Sequence, residues 1–175
     1  MDKKLFIQAI TKLVLGFIII AFLLFISAGT LKYWNAWLFI GILFVPMLIV
    51  GIILMIKNPD LLRKRLNAKE KEDEQKTVLL LGGGIFFCGF VVSGLNYRFQ
   101  WIILPKWLIV LATIIFLLSY LMYAEVLREN TYLSRTVEIQ ENQKVIDTGL
   151  YGIVRHPMYS STILLFLSIP LVLGS

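Results

Sequence analysis

The one histidine in the chain, His156, lies in the stretch GLYGIVRHPMYSSTILL, between Arg155 and Pro157. Its neighbours suit holding a ligand better than making a covalent bond to one. Thr148-Gly149 is a turn signal, and glycine lets a ligand come close to the backbone. Pro157 fits the first position of a helix, where its missing N–H costs nothing. The helix opening there presents unbonded N–H groups and a positive dipole end, which suits a carboxylate or a phosphate. His156, just before it, can donate or accept a hydrogen bond. Tyr151 and Tyr159 add hydroxyls and aromatic faces, and such faces attract cations such as sulfonium or quaternary ammonium. Plainer accounts stand beside these: Arg155 as a flanking positive charge, the tyrosines as membrane-interface aromatics, and His156 as a hydrogen-bonded structural residue.

Other reactive constellations are missing from the chain. Cys88 is the single cysteine and sits in an apolar run, so there is no intrachain disulfide, no CxxC pair and no Cys/His metal set. No metal is expected, and no catalytic residue is assigned. Gly82-Gly83-Gly84 follows no strand and lies at membrane depth, so it is not a phosphate loop. Glu125, the one acid within an apolar span, precedes Arg128 by one helical turn. That spacing suits an ion pair on a helix face, with a role facing the site as the alternative.

The elements that carry these residues are set by hydropathy. Apolar residues make up 58% of the chain and charged residues 16%, with a mean hydropathy of +0.81. The charged share is well below the roughly 25% of soluble domains, and several runs approach the ~20 residues that cross a bilayer as a helix. The expected fold is an all-α integral membrane protein of about five transmembrane helices, over residues 5–29, 36–56, 77–95, 107–128 and 158–174. Lys3 and Lys4 before the first run are reminiscent of a signal peptide, but the run is long for one and is retained as a helix. Pro46 is expected to kink the second helix. Gly82, Gly83, Gly84, Gly89 and Gly94 are expected to allow close helix contact in the third.

Charge then orients the chain. Of the 17 lysines and arginines, all but Lys12, Lys32, Arg98 and Lys106 fall on the side of the N-terminus, and Lys12 lies inside the first run. That asymmetry predicts a cytoplasmic N-terminus and puts the His156 segment on the cytoplasmic face. The net charge of +6 is therefore read as orientation in an anionic bilayer, with no nucleic-acid partner. The loop KNPDLLRKRLNAKEKEDEQK, residues 57–76, carries Leu61, Leu62 and Leu66 on one small apolar side. It reads as a helix lying on the membrane, or equally as a solvated linker with orienting charge. Residues 1–128 thus form a four-helix transmembrane region with a basic loop. Residues 129–175 form a polar segment and the last helix.

At the polar segment the sequence resembles the isoprenylcysteine carboxyl methyltransferase family and, more distantly, the phospholipid methyltransferases. The pattern is Gly149-x-Tyr151, three residues, then Arg155-His156-Pro157-x-Tyr159 opening an apolar helix, preceded by Gln143-Lys144-Val145-Ile146. The likeness runs from about Asn130 to Ser168, and NPDLLRKRLN looks like bacterial members. It implies a membrane methyltransferase, a carboxyl O-methyltransferase first of all, using S-adenosylmethionine on the cytoplasmic face of a bacterial cell membrane. The acceptor is a lipophilic small molecule or prenylated group reached from the lipid bilayer, an isoprenylcysteine carboxylate among the options. By position, cofactor contacts fall on Gln140, Gln143, Lys144, Val145, Ile146, Tyr151, His156, Pro157, Met158 and Tyr159. Family members continue past the equivalent of Ser175 into an apolar stretch, a glutamate pair and a tyrosine- and arginine-containing tail. On this resemblance the 175 residues are C-terminally truncated, and catalytic residues are expected beyond Ser175. Two rival readings remain: an NADPH-dependent enzyme like the sterol reductases, which share an RHP tract, and a non-enzymatic membrane protein. Oligomeric state is not legible.

Overall fold

A computed structural model describes residues 3–66, 73–130 and 146–175 of the chain. It is all-helical among these residues: α1 (Lys3–Ala28), α2 (Trp34–Lys57), α3 (Pro59–Leu66), α4 (Asp73–Phe99), α5 (Lys106–Glu129), a 3-10 turn (Gly149–Gly152) and α6 (Pro157–Leu173). Four of them, α1, α2, α4 and α5, are long and apolar enough to cross a membrane. The fifth apolar helix, α6, has 17 residues. At 1.5 Å per residue that is about 25 Å, short of the roughly 30 Å hydrocarbon core. Their outward faces are apolar: Phe22, Ile26, Leu80, Ile85, Leu118 and Leu167 are all exposed. A surface of this kind is stable against lipid and not against water.

The helices are packed tightly at one end and spread at the other. α1 runs against α4, and α6 runs along α5. The shared core gathers Leu24 of α1, Phe39 of α2, Phe90 of α4, Phe116 of α5 and Val172 of α6. Phe39 holds it together, with ring centroids 5.7 Å from Phe90 and 6.0 Å from Phe116. These residues lie towards the C-terminus of α1. The other end, where α1 begins, carries Lys3, Lys4, Lys57, α3 and Arg128 and is called the basic end below.

Polar side chains close the tight end. A helix leaves its last carbonyls without intrahelical partners, and in a membrane these need donors. Tyr33 Oη donates to the Leu173 carbonyl at 2.6 Å, Asn35 Nδ2 to Val172 at 2.9 Å, and Asn96 Nδ2 to Gly174 at 3.0 Å. Asn96 also accepts from the Ile102 amide at 2.8 Å, tying down the α4–α5 link. Gly174, at φ +77°, supplies the left-handed residue that ends α6. Burial raises the pKa of the Tyr33 phenol, and the neighbouring Tyr97 adds to the shift.

Two expectations are corrected. Among the five glycines of α4, only Gly94 meets another helix: a Cβ there would lie 2.6 Å from Ser27 Cβ and 2.8 Å from the Leu24 carbonyl. Gly82, Gly83, Gly84 and Gly89 have open space where a Cβ would be. Among the described residues no neighbouring helix comes close enough to these four positions for their small size to be used. The basic loop does contain a helix, α3, capped by Asn58 Oδ1 accepting from the Leu61 amide at 3.2 Å. Its leucines face the protein, however, because Leu61 and Leu62 are buried as α3 folds back on α2 and α1. The side that looked fit for lipid is taken up by the bundle.

Candidate functional site

The Gly149–Gly152 turn is held on the end of α5 by Glu129 and Asn130, to which the sequence pattern gave no role. Thr148 Oγ1 donates to Glu129 Oε2 at 2.8 Å, and Asn130 Nδ2 donates to Tyr151 Oη at 2.9 Å. Inside the turn the Tyr151 amide reaches the Thr148 carbonyl at 3.0 Å, and the Val154 amide reaches Leu150 at 2.9 Å. Both glycines are required by geometry. Gly149 has φ +56°, and a Cβ on it would lie 3.0 Å from Glu129 Cδ. A Cβ on Gly152 would lie 2.9 Å from the Asp147 carbonyl. The close approach that Gly149 permits is therefore that of the Glu129 side chain.

From this turn the chain enters α6. His156 is the N-cap residue and Pro157 the first helical residue, as the sequence predicts. The His156 side chain makes no capping bond; its carbonyl instead accepts from the Ser160 amide at 3.1 Å. The amides of Met158 and Tyr159 fall in the first turn, where the helix offers them no acceptor of its own. Pro157 is buried, Met158 half-buried, and His156 and Tyr159 exposed side by side, with ring centroids 5.6 Å apart. An imidazole and a phenol thus flank a dipole end that favours negative charge. Ile146 and Tyr151 are half-buried. Gln140, Gln143, Lys144 and Val145, the other expected cofactor contacts, lie outside the described residues.

Charge beside the turn is organised by α5. Arg128 pairs with Glu125 at 2.6 Å, the ion pair expected from their spacing, and with Glu129 at 3.1 Å. Glu129 is thereby shared between the arginine and Thr148, which links the end of α5 to the turn. Glu125 and Arg128 also line a cavity of about 480 Å³ between α2, α3 and α5, with Lys57 and Asn58 on its far wall. A second cavity of about 470 Å³ lies between α1, α2, α3 and α5. Both belong to the basic end, where the helices spread, and Leu54, Ala124 and Leu127 separate them. Neither is walled by the described residues 146–159.

Sequence reasoning left this second cavity unseen. Lys12 reads as a snorkelling lysine and Arg65 as one of many orienting charges. α3 folds back so that both reach the same space, together with Tyr120 and Tyr123. The only trace in the sequence is that Tyr120, Tyr123, Ala124 and Leu127 share one face of α5. Among the described residues no group of histidine, cysteine, aspartate and glutamate side chains is placed to hold a metal ion.

No family model, no curated protein and no solved structure matches this chain.

Proposed function

We propose that this chain is a membrane methyltransferase related to the isoprenylcysteine carboxyl methyltransferases, with the Gly149–Tyr159 segment as its S-adenosylmethionine site. The observation that carries this reading is the way the motif folds. A turn docked on α5 leads straight into a helix start that exposes His156 and Tyr159 beside first-turn amides. The residues fit such a cofactor. Its carboxylate suits the helix N-terminus, and its sulfonium suits aromatic faces. When bound, the cofactor supplies a methyl group already activated by the sulfonium.

The chain's own residues then bind, orient and exclude water, and alignment alone supplies a large part of such an acceleration. Glu129 and Asn130 fix the turn. Pro157, buried at the first helical position, fixes the direction of α6. His156 and Tyr159 contact the ligand. The cavity between α2, α3 and α5 adjoins this end of α5 and offers a lipophilic acceptor a route from the bilayer. The charge bias of the loops supports a cytoplasmic N-terminus, which puts this end at the cytoplasmic face of a bacterial membrane. An acceptor carboxylate, as in an isoprenylcysteine, would need no general base, which fits His156 as a ligand contact.

The test is cofactor binding by the purified protein in detergent. Saturable S-adenosylmethionine binding is expected, lost in His156→Ala and weakened at least about tenfold in Tyr159→Ala, the loss of roughly one good contact. Binding indifferent to both substitutions, or stronger thermal stabilisation by NADPH than by S-adenosylmethionine, would defeat the proposal. The latter outcome would favour a reductase.

A further inference from the structure

The tight end of the bundle is formed by the links at 29–33 and 100–105, the helix ends beside them and residues 174–175, all within the described residues. Its charged side chains are Lys32, Arg98 and Lys106, all cations and all exposed. No aspartate or glutamate occurs in residues 3–59, 75–124 or 148–175, the segments that reach this end. Along α5 the first acid is Glu125, about 28 Å from Lys106 at 1.5 Å per residue. All four tryptophans, Trp34, Trp37, Trp101 and Trp107, belong to this end too, and each is exposed.

The links here suit lipid better than water. Residues 100–105 read QWIILP, where a link in water would carry polar turn-forming residues. Trp101, Ile102 and Ile103 are exposed, and so is Leu31 in the other link. Backbone outside a helix can sit close to acyl chains only where its polar groups find partners. Asn96 Oδ1 accepts from the Ile102 amide at 2.8 Å, and Asn96 Nδ2 donates to the Ile102 carbonyl at 3.0 Å. Trp37 Nε1 donates to the Leu31 carbonyl at 2.9 Å, and Tyr97 Oη to the Lys32 carbonyl at 3.3 Å. The same packing orients the arginine. Arg98 lies 5.5 Å from the centroid of the Phe99 ring, which stacks on Trp101. It also runs beside Gly29, where a Cβ would lie 3.7 Å from Arg98 Cζ, at the head of the link that carries Lys32.

We propose that the tight end is a recognition surface for anionic phospholipids. Both links sit at the boundary of headgroups and acyl chains, and Lys32, Arg98 and Lys106 pair with lipids of net negative charge. Charge complementarity decides the occupant: cations without acids attract an anionic headgroup, and the exposed indoles and isoleucines beside them need acyl chains. The charge bias of the loops by itself assigns anionic lipid to the basic end, so this preference adds a second contact on the opposite leaflet. The surface is separate from the Gly149–Tyr159 turn and does not depend on the methyltransferase reading.

Tryptophan emission reports on this end alone, because every tryptophan lies there. The experiment reconstitutes the full chain in equimolar phosphatidylglycerol and phosphatidylcholine, with brominated acyl chains on one lipid at a time. Brominated phosphatidylglycerol is expected to quench more strongly, matching about fivefold local enrichment, the figure for one cation near an anionic surface. At about 1 M salt, where screening acts over roughly 3 Å, the preference should shrink towards one. Lys32→Gln, Arg98→Gln and Lys106→Gln together should abolish it, and the exposed positions tolerate such changes. The charge-keeping set Lys32→Arg, Arg98→Lys and Lys106→Arg should retain it, which separates lost charge from a damaged fold. Lys3→Gln, at the basic end, should leave the ratio unchanged. Equal quenching by the two lipids in the unaltered protein overturns the proposal and leaves the cations to an acidic protein partner. So does a preference that survives the neutral set, is lost in the charge-keeping set, or follows Lys3→Gln. Quenching by aqueous iodide without quenching by either brominated lipid would also overturn it, because the links would then stand in water.

Discussion

Gly149→Ala should loosen the turn at the head of α6, and the structure sets the size of the effect. The residue has φ +56°, which costs a non-glycine residue about 1–2 kcal/mol. The new Cβ would lie 3.0 Å from Glu129 Cδ, so the carboxylate must move and release Thr148. A hydrogen bond to a charged group contributes about 1.5–3 kcal/mol, and the exposure of Thr148 reduces this to about 1 kcal/mol. Together the loss is about 2–3 kcal/mol. Amide hydrogen exchange reads such local opening directly. The Tyr151 and Val154 amides, bonded within the turn, should exchange about 30- to 150-fold faster. Glu129→Ala alone removes the same bond to Thr148 and should cost about 1 kcal/mol. In the double variant that bond is counted once, so its cost should fall short of the sum of the singles by about 1 kcal/mol. Unchanged exchange in Gly149→Ala, or strict additivity in the cycle, would refute the account of Gly149 as the residue that admits Glu129.

Three further outcomes follow from the packing. Gly94→Ala should destabilise the fold by about 1–3 kcal/mol by forcing α4 off α1, while Gly89→Ala should be neutral or stabilising by up to about 1 kcal/mol; thermal unfolding in detergent compares the two. Asn96→Leu removes the donors for the Gly174 and Ile102 carbonyls and the acceptor for the Ile102 amide, and should lower stability by about 2–4 kcal/mol in the same assay. Tyr33 has a raised pKa, so its bond to Leu173 contributes fully below the ordinary phenol value of about 10 and is lost as pH climbs through the raised value. Stability should therefore fall above about pH 10 more steeply than in Tyr33→Phe, and a pH series of melting temperatures that runs parallel for the two proteins would contradict this.

Much of the fold is legible in the sequence because a bilayer imposes a length rule. The four long helices begin and end within a few residues of the hydropathy runs. Pro157 opens α6 and the Gly149 turn precedes it, because ring closure and a left-handed φ are local properties of single residues. The ion pair of Glu125 with Arg128 is equally local, a matter of one helical turn. The part of the candidate site that could be read this way is the part built from neighbours in the chain.

Which face of each helix meets protein was decided by tertiary structure. In water an apolar stripe marks the buried side, but in lipid both sides are apolar and the stripe carries little information. Hydropathy therefore could not tell that Gly94 packs while Gly82, Gly83, Gly84 and Gly89 do not. It could not tell that α3 buries its leucines in the bundle. Nor could it bring Lys12 and Arg65, 53 positions apart in the chain, to one cavity, or send Tyr33, Asn35 and Asn96 to the last carbonyls of α6. The sequence by itself determined an all-helical membrane chain with a turn and helix start at His156. The fold alone decided what stands around that turn, because long-range contacts between apolar helices leave no periodic trace when lipid and protein are equally apolar surroundings.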